Sequence, residues 1–186
     1  MVRIRIATPD DATGIRAIYA PYIEATAITF HTEVPSEEQF AEQIRALLAE
    51  YPWYVAETET GEVVGYAYAS QHHPRPAYRW SVNASIYLDK DHQQQGIGRR
   101  LYAQLFETVK RQGFRVIHAG ITMPNDPSVR LHESFEFRYV GTFPTAGFKL
   151  GSWKDVGWWV LDLMPGLGEN EEVPEPIPFA KLPAPS

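Results

Sequence analysis

The sequence contains no cysteine. That alone excludes disulfide frameworks, thiolate metal sites and cysteine nucleophiles. No apolar run approaches the roughly 20 residues of a membrane-spanning helix. An excess of positive charge is missing too. Seventeen Lys and Arg stand against 23 Asp and Glu, for a net charge of -6, and the signs are mixed along the chain. Neither a nucleic-acid backbone nor an anionic membrane surface has a basic stripe to bind. The N-terminal MVRIRIATPDDA has no long apolar stretch behind its basic residues, so no signal peptide is read there. A soluble, cytoplasmic protein is the expectation.

What is present suits one domain. The 186 residues are 44% hydrophobic and 13% aromatic, enough for a packed core. Val2 to Ala7 alternates as a first strand. Thr8 caps a helix with Pro9 at its first position, and Ile15, Ile18, Tyr19, Tyr22 and Ile23 make one apolar face. Pro21 is expected to kink or divide it. Ser36 and Gln39 form a capping box for a second helix. Trp53 to Glu57 and Val63 to Ser70 read as a hairpin turning at Gly61. Trp80 to Leu88 alternates, with Asn83, Ser85 and Tyr87 on one face. Leu101 to Arg111 is a helix that Gly113 ends. Val116 to Ile121 is a strand and Asn125 to Phe135 a short helix. Tyr139 to Phe143 and Val156 to Leu163 are strands, joined by the glycine-rich link AGFKLGSW. The order is β-α-α-β-β-β-α-β-α-β-β, a mixed α/β layer of α+β type on one sheet. Residues 1–164 form the domain. The tail 165–186 holds 6 of the 15 prolines and is expected to be extended or disordered.

The informative stretch is a strand, then Gln93 to Gly98 (QQQGIG), then a helix. A helix N-terminus offers unpaired backbone N–H groups and a partial positive charge. Gly96 and Gly98 let the chain turn and let an anion approach. A Walker loop is excluded because Arg99 and Arg100, not Lys-Ser/Thr, follow Gly98. A dinucleotide fingerprint is excluded because position 101 is Leu. The pattern Gln/Arg-x-x-Gly-x-Gly remains. By itself it is compatible with a phosphate site and with an ordinary glycine turn. The adjacent His72 and His73 are not read as metal ligands, since neighbouring histidines rarely meet one ion and no third ligand is spaced for it.

The segments AYRWSVNASIYLDKDHQQQGIGRRLY and MPNDPSVRLHESFEF, with ITFHTEVPS, YPWYVAE and AGFKLGSWKDVGWW, resemble the GNAT acetyltransferases. Within them the chain is similar to the phosphinothricin and methionine sulfoximine N-acetyltransferase branch, which includes arsinothricin-acting enzymes. The resemblance runs from about Ile4 to Leu163. It implies a GNAT fold: a mixed, mostly antiparallel sheet flanked by helices, with central strands splayed to take acetyl-CoA. It further implies that the amides of Gln93, Gln94, Gln95, Gly96, Ile97, Gly98 and Arg99 hold the pyrophosphate. The strand end Ile86, Tyr87 and Leu88 pairs with the pantetheine arm. Asn125 faces the coenzyme or, on its own residue type, caps the helix; both roles are compatible. His132 contacts the coenzyme or is structural. Phe30, Arg75 and Tyr78 match substrate-pocket positions, where a bidentate cation and aromatic walls suit an amino acid with a second acidic group. Without the resemblance, they read as a solvated arginine and core aromatics. No metal is implied, and branch relatives are typically homodimers with Phe148 to Trp158 near the partner.

Two positions depart from the family pattern. The usual base is a glutamate in W-x-V-E, and Asn83 stands there; an amide accepts no proton at neutral pH. Asn83 then positions a water or holds the amine, with Ser85 and Tyr87 extending a relay, and a backbone N–H near Tyr87 polarises the thioester carbonyl. The usual acidic tyrosine is Phe137, with Tyr139 two residues on as the substitute. The reading is an acetyl-CoA-dependent N-acetyltransferase for the α-amine of a small amino acid with a phosphinate, sulfoximine or arsinate-type side chain, conferring resistance to it. The alternatives are a GNAT enzyme for another small amine and a non-catalytic acyl-CoA-binding module.

Overall fold

The computed structural model describes residues 2–168 and 170–183. Seven strands and four α-helices follow in the order β1 Arg3–Ile6, α1 Ala12–Ala25, α2 Glu37–Glu50, β2 Trp53–Glu57, β3 Val63–Gln71, β4 Ser81–Leu88, α3 Ile97–Gln112, β5 Val116–Thr122, α4 Asp126–Glu133, β6 Arg138–Lys149 and β7 Ser152–Asp162. They make one sheet in the order β1-β2-β3-β4-β5-β7-β6. Every neighbouring pair is antiparallel except β4 with β5. This is the mixed, mostly antiparallel α/β layer expected.

The alternation of each strand sends side chains to two cores. On one face Ile15, Ile18, Tyr19 and Ile23 of α1 and Phe40 and Ile44 of α2 pack on Trp53, Val55 and Tyr66. On the other, Leu101, Tyr102, Leu105, Phe106 and Val109 of α3 pack on Val64, Ala67, Val82, Ile117 and Trp159. Local signals place the helix ends. Ser36 Oγ accepts the Gln39 N–H, and Gln39 Oε1 accepts the Ser36 N–H at 2.8 Å, as the capping box requires. Gly113, with φ 91°, ends α3 in the left-handed region.

Three expectations are corrected. Of the kink or division expected at Pro21, the division does not occur: α1 runs through it, because a proline removes one ladder bond while the buried face continues to Ile23. α3 starts at Ile97, four residues before Leu101, directly on the glycine loop. The link AGFKLGSW is not a loop. It forms the ends of β6 and β7, turned by Leu150 (φ 52°) and Gly151 (φ 75°), two left-handed residues that make a tight hairpin.

The described part of the tail lies along the domain; Glu169 and 184–186 are outside the described residues. Trp80 Nε1 donates to the Pro174 carbonyl at 2.9 Å, and Glu175 pairs with Arg79 at 2.9 Å. The Ile177 N–H donates to the Gln112 carbonyl, while buried Gln112 Nε2 donates to Glu50 and Ile177 carbonyls, both at 2.8 Å. Gln112→Ala strands both carbonyls, so urea unfolding should show a loss of about 1–3 kcal/mol. No measurable loss would mean the tail is not held there.

Candidate active site

The two central strands are each fully bound to an outer neighbour and barely to one another. β4 pairs with β3 from Gly65↔Leu88 to Gln71↔Val82. β5 pairs with β7 as far as Thr122↔Val156. Between β4 and β5 the ladder has only Ser81↔Val116, Val82↔Ile117 and Asn83↔His118. Beyond Asn83 the sheet is open. The Asp89 N–H donates to the Val64 carbonyl. By alternation, odd-numbered backbone groups of β4 face β3, while those of Ala84, Ile86 and Leu88 face the opening. The backbone N–H of Tyr87 is therefore turned to β3, and the N–H groups near it that face the opening are those of Ile86 and Leu88. The Tyr22 hydroxyl donates to the Leu88 carbonyl at 2.7 Å and accepts from Gln93 Nε2 at 3.1 Å. It ties α1, the end of β4 and the glycine loop together.

The loop leads straight into α3. Gln94 (φ 59°) and Gly96 (φ 77°) turn the chain through left-handed conformations, and the helix ladder begins with Arg100 N–H to Gly96 O at 3.1 Å. The N–H groups of Ile97, Gly98 and Arg99 precede any carbonyl one turn back, and they carry the positive end of a 16-residue helix. The two glycines do different work. Around Gly96 there is open space, so its role is the backbone angle. A Cβ on Gly98 would sit 3.3 Å from Leu88 Cδ1 and 3.5 Å from Ile86 Cδ1, so its role is close packing of α3 on β4. Side chains are turned away from the amides. Gln95 Nε2 donates to the Asp91 carbonyl, and Arg99 donates to Ser134 Oγ at 2.9 Å while lying over Phe135. A pyrophosphate fits this backbone surface.

At the vertex of the opening stands Asn83. Its Nδ2 donates to the Gln71 carbonyl at 3.2 Å, and its Oδ1 meets His72 Nδ1 at 2.9 Å. The His72 ring stacks on His118 with centroids 3.8 Å apart and planes within 12°. Burial first, then the neighbouring His72, push the His118 imidazole down to about 4. Among the described residues no direct hydrogen bond joins Asn83, Ser85 and Tyr87; Asn83 is bonded to His72 and Gln71, and Ser85 lies opposite Tyr68 in the ladder. Tyr87 lies under α1 between Tyr19, Tyr22 and Tyr66, and burial, then Tyr68 and Tyr19, raise its phenol well above the ordinary value.

Phe30 and Tyr78 are surface aromatics, 38% and 43% exposed, not core. Phe30 lies on Gly147 of β6, where a Cβ would come within 2.8 Å of its ring. Tyr78 packs at 5.8 Å from His72 and 4.6 Å from His73. Arg75 is exposed in the same connection, its guanidinium bonded to no other described residue. Trp158 of β7 meets His72 edge to face with centroids 6.3 Å apart, and its buried indole N–H has no partner among the described residues.

Of the remaining predicted residues, Asn125 takes the capping role of the two expected of it, and His132 and Tyr139 are engaged elsewhere. Asn125 caps α4, its Oδ1 accepting the Ser128 N–H at 3.3 Å. His132 is buried, donating from Nδ1 to the Ser128 carbonyl at 2.8 Å and accepting the Tyr102 hydroxyl at Nε2. Both its nitrogens are used inside the core. Tyr139 is 56% exposed on edge strand β6, with β7 between it and β5, and its hydroxyl bonds Thr142. Phe137 is core. Conversely, Tyr22, His72 and His118 carry no catalytic or binding role in the sequence reading, where Tyr22 is a core position and His72 is set aside as a metal ligand. His118 sits on an alternating strand, but its match to Asn83 depends on cross-strand register. Among the described residues, no group of three or more His, Asp or Glu is placed to hold a metal ion.

The chain matches the family described as "Acetyltransferase (GNAT) domain" over residues 4–158. It is 42% identical over 161 residues to the phosphinothricin N-acetyltransferase of Streptomyces viridochromogenes, covering 87% of each chain. It is 34% identical to the L-methionine sulfoximine/L-methionine sulfone acetyltransferase of Salmonella typhimurium, over 86% of this chain and 94% of that one. Its fold superposes with a TM-score of 0.88 on a phosphinothricin acetyltransferase from Sinorhizobium meliloti in complex with AcCoA, 32% identical and covering 97% of each. The fold is thus shared with solved acetyltransferases, and the chain belongs to the GNAT acetyltransferase family.

Proposed function

We propose that this protein is an acetyl-CoA-dependent N-acetyltransferase. It acts on the α-amine of a small amino acid with a phosphinate, sulfoximine or arsinate-type side chain, and so confers resistance to it. The observation that carries the reading is the unpaired edge of β4 running up to the bare amides before α3. That edge suits an amide-bearing arm by strand addition, and the amides suit its pyrophosphate. When bound, the coenzyme supplies an activated acetyl group. The protein's own part is to align it against the vertex at Asn83, exclude water and orient the amine. Arg75 is the cation for the substrate's acidic group, and Phe30 and Tyr78 are walls. The names of the relatives support the substrate class.

The missing glutamate supports a different small amine as the alternative substrate, and a non-catalytic acyl-CoA-binding module as the alternative function. Coenzyme A release should appear with phosphinothricin, methionine sulfoximine or arsinothricin. Turnover of none of them contradicts the substrate, and acetyl-CoA binding without transfer to a broad amine panel points to the binding module. Arg75→Ala should raise KM for the amino acid about tenfold or more, as loss of a charged hydrogen bond does, and leave KM for acetyl-CoA unchanged. Gly96→Ala should raise the acetyl-CoA dissociation constant about tenfold, since a left-handed angle costs a side chain about 1–2 kcal/mol. Calorimetry measures it.

A homodimer through the β6–β7 hairpin belongs to the same reading. Val140, Phe143, Phe148, Leu150 and Trp153 are 58–63% exposed there, an apolar patch on one edge. Trp153→Glu should turn a dimer into a monomer in analytical ultracentrifugation; an unchanged dimer would move the interface elsewhere.

A further inference from the structure

Asn83 occupies the position where a carboxylate was expected, and its amide is oriented for a definite purpose. With Nδ2 committed to the Gln71 carbonyl, the atom turned to His72 is Oδ1. A carbonyl oxygen only accepts, so His72 Nδ1 carries the hydrogen and donates it. The lone pair then resides on Nε2, the form of imidazole that takes up a proton.

His72 is held on its flat side as well. His118 stacks on it from the last rung of the β4–β5 ladder. Two imidazoles 3.8 Å apart do not both carry charge, and the partly buried His118 is the one kept neutral. The groups facing His72 are Asn83 from β4, His118 from β5, Trp158 from β7 and Tyr78 from the connection after β3, which also meets His73. None of these is a carboxylate. A proton arriving at the pair therefore goes to Nε2 of His72, at the vertex of the opening.

We propose that His72 is the proton acceptor of the acetyl transfer, with Asn83 and His118 as its positioning residues. The proposal rests on the acetyltransferase reading above. The substrate ammonium gives one proton to His72 Nε2. The amine nitrogen bonds the acetyl carbon as the carbon–sulfur bond breaks. A second proton passes from that nitrogen to the departing sulfur, and His72 returns its proton to water. Reactants and products balance as ammonium plus thioester to amide, thiol and one released proton. The residue at the carboxylate position holds the base instead of being it.

The test begins with His72→Gln, which keeps a polar side chain on a partly exposed connection. It should lower kcat/KM by on the order of 10²–10³-fold and abolish the acid limb of the pH–rate profile, with acetyl-CoA affinity by calorimetry unchanged. Adding Asn83→Glu to His72→Gln should restore part of the rate by supplying a carboxylate. Activity of His72→Gln within about threefold of the parent, with its acid limb intact, overturns the proposal. A second readout needs no turnover, and its first arm needs no variant. Nitrogen NMR of the resting protein should show His72 with hydrogen on Nδ1 and His118 neutral until about pH 4; Asn83→Leu should release His72 into a mixture of tautomers. Hydrogen on Nε2 of His72 overturns the proposal. Absence of acetyl transfer in the parent protein contradicts the function above and leaves the tautomer result to stand separately.

Discussion

Three rungs join β4 to β5, and no fourth forms. Each strand stays bonded to its outer neighbour, β4 to β3 as far as Leu88 and β5 to β7 as far as Thr122, so the twist of the sheet carries them apart. A strand edge left without a partner inside a sheet is unsatisfied backbone that a ligand can complete. The glycine loop lies at the wide end of that opening, and the polar side chains lie at its vertex. Closing the opening would remove the proposed coenzyme path and the proposed place of the amine together.

The two ends of the site are built by different means. The wide end is backbone. Gly96 supplies an angle, Gly98 supplies closeness to Leu88 and Ile86, and the Tyr22 hydroxyl anchors the strand end and Gln93. Side chains there are tied back into the protein, which leaves the amides bare for an anion. The vertex is side chain. Asn83, His72 and His118 come from β4, the connection after β3, and β5, and only sheet register brings them together. Backbone recognition tolerates sequence change around two glycines, whereas a side-chain cluster changes character with one residue. That asymmetry accounts for a conventional coenzyme loop beside an unconventional amine end.

Much of the fold was readable locally. The Ser36 capping box, the Gly61 and Gly113 turns, the alternation in β4 and the loop before α3 all depend on neighbours within a few residues. The family resemblance supplied the splay. What failed was long-range or degenerate. The glycines of AGFKLGSW looked like a link because turn residues read the same in a loop and in a tight hairpin. Tyr139 is placed by its position along the chain, but the location of β6 at the sheet edge decides its role, and burial against Tyr102 selects the structural one of the two roles open to His132. His72 was weighed only as a metal ligand, since no local pattern places it against Asn83 and His118.

The central claim is that the coenzyme completes the opened sheet. A crystal structure of the complex with coenzyme A tests it most directly. The account predicts the pantetheine arm hydrogen-bonded along Ala84, Ile86 and Leu88, the pyrophosphate on the amides before Arg100, and the sulfur end directed at Asn83. A coenzyme bound elsewhere, with β4 and β5 paired beyond Asn83 and His118, would contradict it.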